Sequence, residues 1–192
     1  MCSSSVRSKL LTFFWFGLVA FESAIAETPS MPELRQEFLG MQEADQSARR
    51  PKPYDWPTIN AVDARQTARL KEIVAAYGWP SKTLVGSDGV LAAWLIAQHA
   101  IKDPEFQLKV LDLMMPLVGR GEVDGFQYAY LYDRLHRPQR YGTQGRCTPE
   151  GRFEPREIED PEHVDQRRAE AGVGPPKLAE YVALVSPKCP QP

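Results

Sequence analysis

The chain has 192 residues, with 23 Lys and Arg against 25 Asp and Glu and a formal net charge of -2. No global field of either sign draws it to nucleic acid or to an anionic membrane surface, and its length suits one domain with one core. Nothing repeats at a fixed period, which excludes solenoid and propeller architectures.

Arg7 and Lys9 precede an apolar run from Leu10 to Phe21, followed by "ESAIA" with Ala24 and Ala26 at the small-residue positions of a cleavage site. The pattern predicts a secretory signal peptide over residues 1–26, because the run is well short of the roughly 20 residues that span a bilayer. Cleavage after Ala26 leaves residues 27–192 as a single α-helical domain, periplasmic or secreted, with no membrane association. Cys2 lies ahead of the apolar run and leaves with the peptide. Cys147 and Cys189 travel together into an oxidising compartment, where an even pair predicts a disulfide that clips the C-terminal arm. A closed loop of about forty residues is worth ~4 kcal/mol in the chain-entropy model.

The periodicity predicts a mainly α domain of about seven short helices in an orthogonal or layered array, with a long loop region toward the C-terminus. Pro32 opens a first helix whose Leu34, Phe38 and Met41 form an i, i+4, i+7 stripe, and "RPKPYDWP" breaks it. A second helix over about Asp63 to Tyr77 carries Leu70, Ile73, Val74 and Tyr77 on one face and stops at Gly78. "VLAAWLIAQHAI" is apolar almost all round and is expected to run through the centre of the fold, with Ser87 as its N-cap. Asp103 and Pro104 open a fourth helix that Pro116 is expected to end or kink. Asp124 opens a fifth that runs to Pro138, Asp160 and Pro161 start a sixth, and "PKLAEYVALV" makes the last.

The P-loop, the dinucleotide fingerprint and the zincin motif are all absent. "VGSDG" lacks the first glycine of a nucleophile elbow. His99, His136 and His163 show no metal-ligand spacing, so neither a metal nor a cofactor is expected. His99 stands out because it lies one turn after Leu95 and Ile96 on the apolar helix, beside Gln98, and a buried imidazole needs a partner. A carboxylate such as Asp133, or a backbone carbonyl, would satisfy it; in a pocket it would serve as a general base or ligand contact. Asp133 with Arg134, and Asp45 with Arg49 at i, i+4, place further polar groups in apolar stretches, where helical ion pairs are the simpler reading. In "RPQRYGTQGRC", Gly142 and Gly145 permit positive φ, while Thr143 and Gln144 can satisfy buried polar groups or a ligand.

The segments "GWPSKTLVG", "AAWLIAQHAIKDPEFQ", "YAYLYDR", "QRYGTQ" and "IEDPEHVDQRRAEAGV" together, in this order and spacing, resemble an uncharacterised bacterial family, the domain of unknown function numbered 6624. The resemblance covers most of the chain after the signal peptide and brings no activity with it. It implies a recurring polar set at Asp45, Arg49, Gln98, His99, Asp133, Arg134, Gln139, Tyr141, Thr143, Gln144 and Arg168. Gln66 and Val173 depart from the pattern at positions that read as helix interfaces. Two functions follow as expectations. One is a binding or structural module with an internal polar site around His99 and the "YGTQ" loop. The other is a periplasmic hydrolase in which His99 and Asp133 act as base and orienter and Arg134 or the loop donors hold an oxyanion. Partners are not identified by any motif.

Overall fold

The computed structural model describes residues 28–190, so the signal peptide expected over residues 1–26 lies outside the described residues. Seven α-helices make up most of the described residues: α1 (Pro32–Arg49), α2 (Trp56–Tyr77), α3 (Lys82–His99), α4 (Pro104–Val118), α5 (Gly125–Leu135), α6 (Val164–Glu170) and α7 (Leu178–Val185). Among the described residues the one sheet is an antiparallel pair, β1 (Gly145–Cys147) with β2 (Phe153–Pro155). The fold is mainly α, as the periodicity predicts. None of the described helices is long and apolar enough to cross a membrane.

Helix α3 lies at the centre and packs against α1, α2, α4 and α5. Its Val90, Ala92, Ala93, Trp94, Ile96 and Ala97 are all buried, and the alanines let neighbouring helices approach closely. Leu34 and Phe38 of α1, Leu70, Ile73 and Val74 of α2, and Val110, Leu111 and Met114 of α4 converge on it in one core. Each large apolar side chain buried in this way contributes roughly 1.5–3 kcal/mol.

Local chemistry moves several helix ends away from their expected positions. Helix α2 starts at Trp56, a full two turns before Asp63, because the Asp55 carboxylate caps it by accepting from the Thr58 amide and hydroxyl, and Pro57 fits the first turn. "DWP" is thus a helix start inside a stretch that otherwise breaks structure. Tyr77 does not share the buried face; it is 53% exposed. Helix α3 begins at Lys82 under a Ser81 cap and is interrupted at Gly86, whose φ of 73° no helix contains, so Ser81 is its capping side chain and Ser87 is not. Pro116, expected to end or kink α4, does not end it: the helix runs two residues further to Val118, and in the last turn only one backbone bond is forfeited. The caps expected at Asp103 and Asp124 are present, accepting from the Phe106 and Phe126 amides.

The C-terminal third is held by cross-links rather than by a large core. Cys147 and Cys189 are joined in a disulfide across a sequence separation of 42. The Phe153 amide donates to the Ser186 hydroxyl at 3.0 Å, and α7 packs on β2. Three-residue strands are too short to show alternation, which is why the pairing was not visible in the sequence.

Candidate functional site

The polar residues fall into two separate clusters. The first lies where α1, α2 and α3 meet. Asp45, one turn before the end of α1, is wholly buried, and its Oδ1 accepts from His99 Nδ1 at 2.7 Å and from Arg49 at 2.7 Å. Its Oδ2 accepts from the Gln46 amide at 2.7 Å. The other arm of Arg49 reaches Asp63 Oδ1 of α2 at 2.6 Å. Spacing of i, i+4 sets Arg49 above Asp45, and His99 arrives as the last residue of α3. Gln107 of α4 fixes that helix end by donating to the Gln98 carbonyl and to the Ala97 carbonyl, which also accepts from the Ala100 amide.

The partner of His99 is therefore Asp45 and not Asp133. A carboxylate that also takes Arg49 accepts here, so His99 Nδ1 carries the hydrogen of this contact and Nε2 is the nitrogen left for a further partner. His99 also lines a cavity of about 280 Å³, together with Asn60, Asp63, Thr67 and Lys71 of α2 and Asp103 at the head of α4. Lys71 pairs with Asp103 across this cavity. Ligand atoms of Asp45, Asp63 and His99 lie within 4.8 Å of one another, a spacing that could hold a cation and that separations along the chain do not reveal. The guanidinium of Arg49 already bridges both carboxylates, so the cluster is built as an ion network.

The second cluster is the "YGTQ" loop, and it faces inward. Asp133, wholly buried on α5, accepts from the backbone amides of Arg140 (2.7 Å), Tyr141 (3.0 Å) and Thr143 (2.8 Å) and from the Thr143 hydroxyl (2.9 Å). Gln139 donates to the carbonyls of Gln144 and Arg156 and accepts from the Gln144 amide. The Gln144 side chain donates to the Tyr130 carbonyl. Arg168 of α6 is fully buried and donates to the carbonyls of Tyr141 at 2.7 Å and Pro175 at 2.5 Å, with its guanidinium over the Tyr181 ring. Burial pulls its pKa down, although Tyr181, Asp165 and Asp133 oppose that. Gly142 has the positive φ expected (72°), and a Cβ there would meet Leu178 at 2.6 Å. Gly145 is required for a different reason, since a Cβ would strike the Glu154 carbonyl at 2.4 Å. The loop is thus a structural knot.

Arg134 contributes to neither set of contacts among those that hold Asp133 and His99. Gln98 is buried and engaged through its carbonyl. Gln66 donates to the Met41 carbonyl at 2.6 Å, and Val173 is buried against Ala129 and Tyr141, so both departures from the family pattern lie at packed interfaces. Asp63 and Gln107 complete the His99 cluster and were not singled out by the sequence, because each meets its partner only through helix packing.

Tyr141, with Tyr128 and Tyr132 of α5 and Arg140, lines a second and wider cleft of about 850 Å³. Burial pushes the phenols of Tyr141 and Tyr181 up to about 12, from an ordinary value of 10.0. A phenol whose folded pKa is raised favours folding while it stays neutral. Their contribution is therefore complete below pH 10 and lost as pH climbs toward 12. Burial raises the Tyr128 phenol as well, so absorbance titration should show three late-ionising phenols, with stability to urea steady below pH 10 and falling above it.

The matching family model spans residues 32–188, nearly all of the described chain, and is a family of unknown function, DUF6624. The chain belongs to this family. No curated protein and no solved structure matches it. Membership in DUF6624 accords with the ordered polar segments. The geometry adds that the polar residues serve two places, with Asp45, Arg49 and His99 in one and Asp133, Gln139, Tyr141, Thr143, Gln144 and Arg168 in the other.

Proposed function

We propose that this DUF6624 chain is an exported small-molecule-binding module whose ligand site is the cavity in front of His99. The observation that carries the reading is an imidazole fixed through Nδ1 by a wholly buried carboxylate while its ring lines a cavity of ligand size. A purely structural histidine has no need of a cavity. The same geometry favours a second reading, a hydrolase in which Asp45 orients His99 as a general base toward a water. Asp45 takes in it the orienting role that the sequence assigned to Asp133.

A thermal-shift screen of small polar compounds tests the site. Compounds that raise Tm for the parent should raise it far less for His99→Ala, since stabilisation follows occupancy of the folded state. Equal shifts in both proteins would remove the His99 cavity from consideration. Mass spectrometry of each hit after incubation separates binding from hydrolysis. Export rests on the pattern from Arg7 to Ala26, and N-terminal sequencing of protein recovered outside the cytoplasm should begin at Glu27. Retention of Arg7 in a membrane fraction would contradict it.

A further inference from the structure

Helix α2 carries more of the cavity wall than any other element, and the row it presents extends beyond the cavity. Trp56, Asn60, Asp63, Thr67 and Lys71 follow one another at i, i+4, i+7, i+11 and i+15, so they share one helix face. The last four line the cavity. Trp56 at the head of the row is 59% exposed. Tyr54 is 41% exposed, with its ring centroid 5.4 Å from that of Trp56. The Lys52 ammonium lies 3.1 Å from the centroid of Tyr54, which occupies one face of that ring and leaves the indole as the broader open platform. At 1.5 Å of rise per residue, Trp56 stands about 6 Å before Asn60 and about 10 Å before Asp63.

Charge decides what kind of ligand such a row suits. Arg49 is shared between Asp45 and Asp63, and Lys71 pairs with Asp103, so these groups leave one carboxylate charge that the cation of Lys102 offsets. The remaining cation of the wall, Lys102, is exposed. The cavity thus offers amide, hydroxyl, carboxylate and imidazole hydrogen-bonding groups with little net field, a set that matches a neutral polyol better than an anion. Sugar rings present hydroxyls at their edges and C–H groups on their faces, and the C–H face stacks on an aromatic ring.

Building on the reading that the His99 cavity is a ligand site, we propose that its ligand is a neutral saccharide of at least two rings. One ring sits in the cavity, its hydroxyls held by His99, Asn60, Asp63 and Thr67, and the next stacks on Trp56.

The test is titration of the purified chain with cellobiose, maltose and N,N'-diacetylchitobiose, followed by tryptophan emission and by Tm. At least one disaccharide is expected to give saturable quenching or blue shift together with a rise in Tm. Trp56→Ala should weaken that binding at least tenfold and abolish the emission change, while Trp56→Phe restores part of the affinity. Trp56 is exposed, so neither change threatens the fold. Absence of saturable binding by all three sugars overturns the proposal. So does a non-sugar hit from the thermal-shift screen that His99→Ala removes and Trp56→Ala leaves intact, although the cavity reading then stands. If hits bind the His99→Ala protein as tightly as the parent, the cavity reading itself fails.

Discussion

Asp133→Ala is expected to destabilise the protein by about 4 to 5 kcal/mol, the largest effect of any single polar substitution in the fold. The carboxylate accepts four hydrogen bonds, three from backbone amides and one from the Thr143 hydroxyl, and the side chain is wholly inaccessible to solvent. Its removal leaves buried donors with no acceptor, each costing about 1–3 kcal/mol, partly offset where the Arg140 amide can reach water. Asp133→Asn keeps one acceptor oxygen but turns an amide toward a donor, either at Thr143 or at Tyr141, so it should cost nearly as much. Urea denaturation at neutral pH measures both. A change below about 1 kcal/mol for the alanine variant would mean that the loop does not depend on this carboxylate.

Arg168→Ala should cost about 3 to 4 kcal/mol, through a cavity beneath Tyr181 and two carbonyls deprived of their donor. The guanidinium is the only group joining α6 to both the Tyr141 and the Pro175 carbonyls among the described contacts, and its Nε has no partner. A buried cation with no carboxylate at hydrogen-bond distance stabilises only through such contacts, so Arg168→Lys, with a compact ammonium unable to span both carbonyls, should recover less than half of the loss. Thermal unfolding of the three proteins gives the ranking parent, Lys, Ala. Equal stability of the lysine variant and the parent would show that the two-carbonyl fork is immaterial.

The sequence is legible where the physics is local. The stripe of Leu34 and Phe38, the Asp103 and Asp124 caps and the all-round apolar character of α3 follow from residues near one another, and the pairing of Cys147 with Cys189 from the even count of cysteines after residue 26. The start of α2 was obscured because Pro51 and Pro53 precede it and a third proline, Pro57, lies in its first turn, and only the Asp55 cap marks Pro57 as part of a helix opening. Partner choice for His99 was beyond periodicity. Spacing says which face of α3 it occupies, but whether α1 or α5 meets that face is decided by packing of the whole core. Asp45, 54 residues away, takes the position that Asp133 was expected to hold. Asp133 instead satisfies the backbone of the loop that follows its own helix, a short-range solution that needs no histidine.

The central claim is that ligands enter the cavity beside His99 and leave the tyrosine cleft alone. NMR of the 15N-labelled chain, following the imidazole nitrogens of His99 and the backbone amides of Tyr128 and Tyr141 during titration with each thermal-shift hit, tests it directly. The account predicts a saturable shift of His99 Nε2, with Nδ1 remaining protonated on Asp45 and the Tyr128 and Tyr141 amides unmoved. Hits that shift Tyr128 and Tyr141 while His99 stays still would contradict it.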